Sequence, residues 1–146
     1  MKKIWLLILL FICISCSSGG SNIIKATRDL DFKQVRIFIN NGANINDKDS
    51  NGFTPLIIAA YYGNAPIVKY LCENGASINE QEKNGFTALI YASYYGFDDV
   101  VQILLQHNAS LEIANKYGYT ALSYAEKNND QDIIDMLKAA GAKSIL

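Results

Sequence analysis

The 146-residue chain offers few side chains that could do chemistry. It has one histidine, His107, and three cysteines, Cys13, Cys16 and Cys72. A Ser/His/Asp or Cys/His catalytic set would have to be built on His107 alone. His107 closes a helical pattern, where a last-turn cation or a carbonyl partner accounts for it. Cys72 falls among apolar residues and reads as a small apolar filler. Cys13 and Cys16 have C-x-x-C spacing, but they lie at the end of an apolar N-terminal run without histidines around them, which supports neither a zinc site nor a redox motif. Asp98-Asp99 is a carboxylate pair at the start of a helical segment, a place that suits the helix dipole. The glycines recur at a fixed step and form no phosphate-cradling loop. No catalytic residue, metal or cofactor is therefore expected, and the chain reads as a non-enzyme.

What positions the remaining side chains is a repeat. The phrase Gly52-Phe53-Thr54-Pro55-Leu56 returns as Gly85-Phe86-Thr87-Ala88-Leu89 and Gly118-Tyr119-Thr120-Ala121-Leu122, at steps of 33 residues. A second phrase keeps the same step at Gly42-Ala43, Gly75-Ala76, Asn108-Ala109 and Gly141-Ala142. A fixed period of this length predicts a stack of similar units, each too small to bury its own apolar face. The units run at about 49–81, 82–114 and 115–146. Residues 21–48 form a degenerate first unit, because Ile23, Ala26, Val35 and Phe38 fall on the places of Leu56, Ala59, Val68 and Leu71.

Each unit predicts two short helices. Thr54, Thr87 and Thr120, with Ser21 at the matching place, can cap the first helix. Pro55 sits where its missing N–H is harmless. Gly63, Gly96 and Asn129 suit its left-handed end. The second helix carries apolar pairs such as Ile67-Val68 with Leu71, Val100-Val101 with Leu104, and Ile133-Ile134 with Leu137, a wide buried stripe. Gly75, Asn108 and Gly141 close it. Polar stretches at 46–51, 79–84 and 112–117 predict turns between units. In the last unit Lys138 replaces an apolar residue, as an end cap requires.

The pattern G-x-T-P-L-x-x-A-A-x-x-G…V-x-x-L…G-A-x-x-N resembles ankyrin repeats over residues 21–146. The resemblance implies an all-α solenoid of helix-turn-helix units with projecting β-turn loops. It also implies that the turns and the exposed side of the first helices form a concave surface that grips a partner protein. The matching residues are Phe53, Tyr61, Tyr62, Lys83, Phe86, Tyr94, Tyr95, Tyr117 and Tyr119. Tyrosine supplies a large rigid contact with a polar tip, which suits an interface. The alternative is that these rings simply pack along the stack between units. The family usually has His after its T-P-L triplet to tie the turns together. This chain has Ile57, Ile90 and Ser123 there, so softer turns are expected.

The N-terminus reads as an address. Lys2-Lys3 precedes an uncharged apolar run at 4–14, followed by Ser15-Cys16 and a Ser/Gly stretch. The run is short against the roughly 20 residues of a membrane span, and the order of features matches an export signal. It resembles a bacterial lipoprotein signal. That implies a signal peptide at 1–15, lipidation of Cys16, a tether at 16–20 and a repeat domain at 21–146. Cys13 is a rival site. Ordinary cleavage to a soluble periplasmic or secreted protein and retention as an uncleaved anchor are the alternatives.

Net charge is -1, and -3 without the first 15 residues, since 13 basic groups fall to 11 against 14 acidic ones. That balance does not suggest a phosphate backbone as partner. The expected function is a non-catalytic protein-binding module at a bacterial cell envelope, monomeric, held to a membrane by its N-terminal lipid, with no nucleic acid bound. An inhibitor, an immunity protein or an assembly factor would fit. A structural spacer of the envelope is the alternative, and an enzyme a weaker one.

Overall fold

The computed structural model describes the backbone of residues 19–144. The described residues form eight helices and no strand: α1 (Gly19–Arg28), α2 (Phe32–Asn40), α3 (Pro55–Tyr61), α4 (Ala65–Glu73), α5 (Ala88–Tyr95), α6 (Asp98–Gln106), α7 (Ala121–Asn128) and α8 (Gln131–Ala139). They fall into four hairpin-like pairs. First helices α1, α3, α5 and α7 pack side by side, second helices α2, α4, α6 and α8 form a parallel row, and each pair also packs within itself. This is the expected all-α solenoid.

The caps explain why helices start where they do. The hydroxyls of Thr54, Thr87 and Thr120 accept from the N–H groups of Ile57, Ile90 and Ser123, each at 3.2 Å. One such cap stabilises by about 1 kcal/mol. Asp31, Asn64 and Asp130 do the same for α2, α4 and α8, accepting from Gln34, Ile67 and Ile133. In the first unit α1 begins at Gly19, so Ser21 lies within the helix rather than at its cap.

The ends follow from the left-handed residues. Gly63, Gly96 and Asn129 have φ of 66°, 75° and 55°, and Asn108 has 60°. The first unit departs here: Leu30 occupies the place of Gly63 and takes φ 54°. A γ-branched residue in that region is strained by roughly 1–2 kcal/mol.

The core lies between the two helix rows. Leu56, Leu89 and Leu122 are buried with Ile23, and Leu71, Leu104 and Leu137 with Val35. Each large side chain so placed contributes about 1.5–3 kcal/mol. Ala59, Ala92 and Ala125 sit fully buried between the first helices, where their size allows close approach. Phe38, on the place of Leu71, is only partly buried, as an end unit allows. Cys72 is buried, and that burial, with the Glu73 charge, pushes its thiol up to about 11, which keeps it un-ionised. Lys138 stands exposed and pairs with Glu126 at 3.4 Å. His107 follows α6, its backbone N–H donating to the Ile103 and Leu104 carbonyls, a structural place.

Candidate functional site

The turns between units are organised by one side chain each. The Asp49 carboxylate accepts from the N–H groups of Asn51 and Phe53, at 2.8 and 3.0 Å. Glu82 accepts from Asn84 and Phe86, at 2.9 and 3.2 Å, and Asn115 from Tyr117 and Tyr119, at 3.0 and 3.1 Å. Backbone bonds then join one turn to the next, Lys83 N–H to the Asn51 carbonyl at 3.0 Å and Lys116 N–H to that of Asn84 at 2.9 Å. Asn46 and Asn79 reach one unit on, each accepting at 2.8 Å from Ser77 and Ser110. The turns are therefore tied without the histidine whose absence suggested softness. At one of those places, Ser123 itself bonds back to the Thr120 hydroxyl at 3.0 Å.

Gly85 makes the join possible. Its φ is +83°, and a Cβ on it would meet Lys116 N at 3.0 Å and Asn115 Cα at 3.1 Å. A side chain there would push that backbone back by a few tenths of an ångström.

On this frame the aromatic residues form one continuous cluster. Phe53 stacks on Tyr91 with ring centres 5.9 Å apart, Tyr91 on Phe86 at 4.6 Å, and Phe86 on Tyr124 at 5.9 Å. Tyr61 meets Tyr91 and Tyr95 edge-on, both at 5.2 Å, and Tyr94 meets Tyr124 at 5.0 Å. Tyr91 and Tyr124 are 8% and 6% exposed, so these two rings are the floor of the row. The sequence reading did not single them out. Their shared step of 33 was a signal, hidden because unit two has Ile58 at that place.

Above that floor the expected residues divide. Tyr117 is 66% exposed, Tyr62 45%, Tyr94 and Tyr95 43%, and Tyr119 38%, whereas Phe53, Tyr61 and Phe86 are half-buried. Lys83 is exposed on its turn. Tyr62 touches only the Tyr61 ring, and Tyr117 only the Phe86 ring, among the described aromatic contacts. A cation closes each end of the row. The Arg28 guanidinium lies 5.9 Å from the Phe53 ring centre, and Lys127 Nζ 5.3 Å from that of Tyr119. Arg28 and Lys127 occupy in units one and four the places of Tyr61 and Tyr94.

The electrostatics bear on binding rather than on catalysis. Asp49 is held below the usual carboxylate range: burial would raise it, but the Phe53 and Asn51 N–H groups and the Arg28 guanidinium prevail. The Tyr61 hydroxyl beside it, with burial, pushes Tyr95 up to about 12. Burial and the Glu82 charge push Tyr91 higher still. These phenols stay protonated hydrogen-bond donors at neutral pH. Among the described residues, no group of His, Cys, Asp and Glu could hold a metal ion, and no helix is long and apolar enough to cross a membrane. Cys13 and Cys16 lie outside the described residues.

Two family models match. One described as ankyrin repeats in three copies matches residues 74–145, and one described as ankyrin repeats in many copies matches residues 39–85. Together they cover residues 39–145, which leaves the N-terminal segment and the first part of the degenerate first unit unmatched. Among curated proteins, none matches the chain significantly.

Proposed function

Because the chain belongs to the ankyrin-repeat family, whose repeats are generally protein–protein interaction modules, we propose that it grips a partner protein on the row running from Phe53 to Tyr119. The family is typically non-catalytic, and we read this member as a binder. The observation that carries the reading is the division of labour among the rings. Tyr91 and Tyr124 fill the space between units, which leaves Tyr62, Tyr94, Tyr95 and Tyr117 with open faces beyond what the stack needs. Rigid aromatic side chains on a pre-formed surface lose little entropy on binding and are enriched at interface hot spots.

The test is crosslinking and pull-down from the native host with the parent chain and a Tyr62→Ala, Tyr117→Ala double variant. These two rings make the fewest internal contacts. A stoichiometric partner lost by the variant, at an unchanged melting temperature, is the expected result. The same partners at equal yield would show that the rings serve packing alone.

We further propose that the chain acts as a monomer at a bacterial cell envelope, anchored by a lipid on Cys16. The support is the order Lys2-Lys3, apolar run, Ser15-Cys16 and Ser/Gly stretch. A single acyl chain holds a protein only marginally, so firm anchoring takes more than one. Membrane fractionation of Cys16→Ala against Cys13→Ala decides it: only the first should release the protein.

A further inference from the structure

The charges around the aromatic row are not evenly matched. Lys83 and Lys116 stand exposed on successive turns, at places one repeat apart. Lys127 stands exposed over the Tyr119 ring. None of the three makes an ion pair among the described residues, whereas Arg28 at the other end is neutralised by Asp49. The acids next to Lys83 and Lys127 in sequence are already engaged. Glu82 is buried and accepts two backbone N–H bonds, and Glu126 pairs with Lys138 and accepts from Ser144. Glu112, exposed at the start of the turn that carries Lys116, makes no ion pair, and four further unpaired acids lie together. Asp98, Asp99, Asp130 and Asp132 sit at the starts of α6 and α8, close enough that their mutual repulsion, after burial, raises Asp98.

Resting on the binding role proposed above, we infer that the partner segment is acidic, and that its carboxylates meet Lys83, Lys116 and Lys127 while apolar side chains between them lie on Tyr94, Tyr95 and Tyr117. The spacing gives the inference content. Successive units of packed helices lie about 8–10 Å apart. An extended chain advances about 3.3–3.6 Å per residue. A partner strand running along the stack would therefore present acids about three residues apart to Lys83 and Lys116, the two that stand one unit apart. Exposed tyrosine hydroxyls add donors for the same carboxylates. A single-stranded nucleic acid would also bring anions to cations and bases to rings. It is disfavoured because three cations on a chain of net charge -1 match a few spaced carboxylates but not a charge on every nucleotide.

The experiment uses the full chain to select from a random dodecapeptide library, with oligo-dT as the competing probe. Selected peptides should be rich in Asp and Glu spaced three apart, with aromatic or aliphatic residues between. Binding should weaken roughly tenfold, the combined effect of three exposed pairs, in a Lys83→Gln, Lys116→Gln, Lys127→Gln variant. It should survive replacement of the same three by Arg, and weaken with added salt. Peptides without acid enrichment that lose affinity on Tyr62→Ala, Tyr117→Ala but not on loss of the lysines would overturn the acidic partner while leaving the aromatic row standing. Peptides indifferent to both variants would remove the row as well. Oligo-dT binding tighter than any selected peptide would assign the cations to nucleic acid instead.

Discussion

Replacing Gly85 by Ala separates two reasons for a glycine that usually travel together. The first is conformational: at φ +83° a Cβ costs roughly 1–2 kcal/mol. The second is spatial. The Cβ would lie 3.0 Å from Lys116 N and 3.1 Å from Asn115 Cα, backbone atoms that cannot rotate away. Opening the join between turns, including the 2.9 Å bond from Lys116 N–H to the Asn84 carbonyl, adds about 1–3 kcal/mol, the usual range for overpacking. The sum is about 2–5 kcal/mol. Gly118 supplies the control. Its φ is +79°, yet nothing among the described residues lies within 4 Å of its Cβ position. Gly118→Ala should therefore show only the conformational part, about 1–2 kcal/mol. Urea unfolding followed by circular dichroism reads both, with the slope checked for constancy. Equal losses for the two variants would refute the claim that close backbone approach couples the turns. Amide exchange at Lys116 should also quicken in Gly85→Ala and stay slow in Gly118→Ala.

Other perturbations follow from single observations. Leu30→Gly should stabilise the first unit by up to about 1 kcal/mol, measured by thermal melting, since Leu30 sits at φ 54° and is 40% exposed. Ser93→Ala should stabilise by about 1 kcal/mol in urea, because the Ser93 hydroxyl is buried without a partner and unit two already has Ala60 there. Asp49→Asn should keep the turn, as Asn115 does naturally, whereas Asp49→Ala should cost about 1–2 kcal/mol through orphaned N–H groups. The Asp49 carboxyl titrates below 3.8 in the fold, so its contribution is present above that value and is lost as pH falls through the folded pKa. Stability of Asp49→Asn should accordingly fall less steeply in that acid window. In an alkaline absorbance titration Tyr95 should ionise only near pH 12, and Tyr61→Phe should bring it closer to 10. The stability linked to Tyr95 is complete below about pH 10 and lost as pH rises through its folded value.

The helices were legible because each rests on a local device that repeats. Thr54, Thr87 and Thr120 cap, Gly63, Gly96 and Asn129 terminate, and Leu56, Leu89 and Leu122 fill the same hole. The turn frame was not legible, because Asp49, Glu82 and Asn115 do one job with three chemistries. An acid one methylene longer and an amide both present an oxygen to the same two N–H groups, so identity varies while geometry persists. Leu30 was silent for a different reason. Nothing in a leucine announces a left-handed residue, and only its lattice place beside Gly63 marks it.

The candidate site shows why packing and recognition were hard to separate by reading alone. A tyrosine next to a helix-ending glycine looks the same whether its ring faces a neighbour or solvent. The two roles fall on different lattice places. Rings at the place of Tyr91 and Tyr124 are buried on the first helices and stacked by Phe53 and Phe86, so their area is used by the stack. Rings one turn later rest against that floor, Tyr94 edge-on to Tyr124 and Tyr95 stacked on Tyr91, and remain partly exposed. Packing is thus what fixes the exposed rings in place, since a ring held on one side has fewer rotamers to lose when a partner covers the other. The same logic explains the ends. Arg28 and Lys127 stand where the middle units carry Tyr61 and Tyr94, and each covers an outer aromatic face of the row with a flexible cation instead.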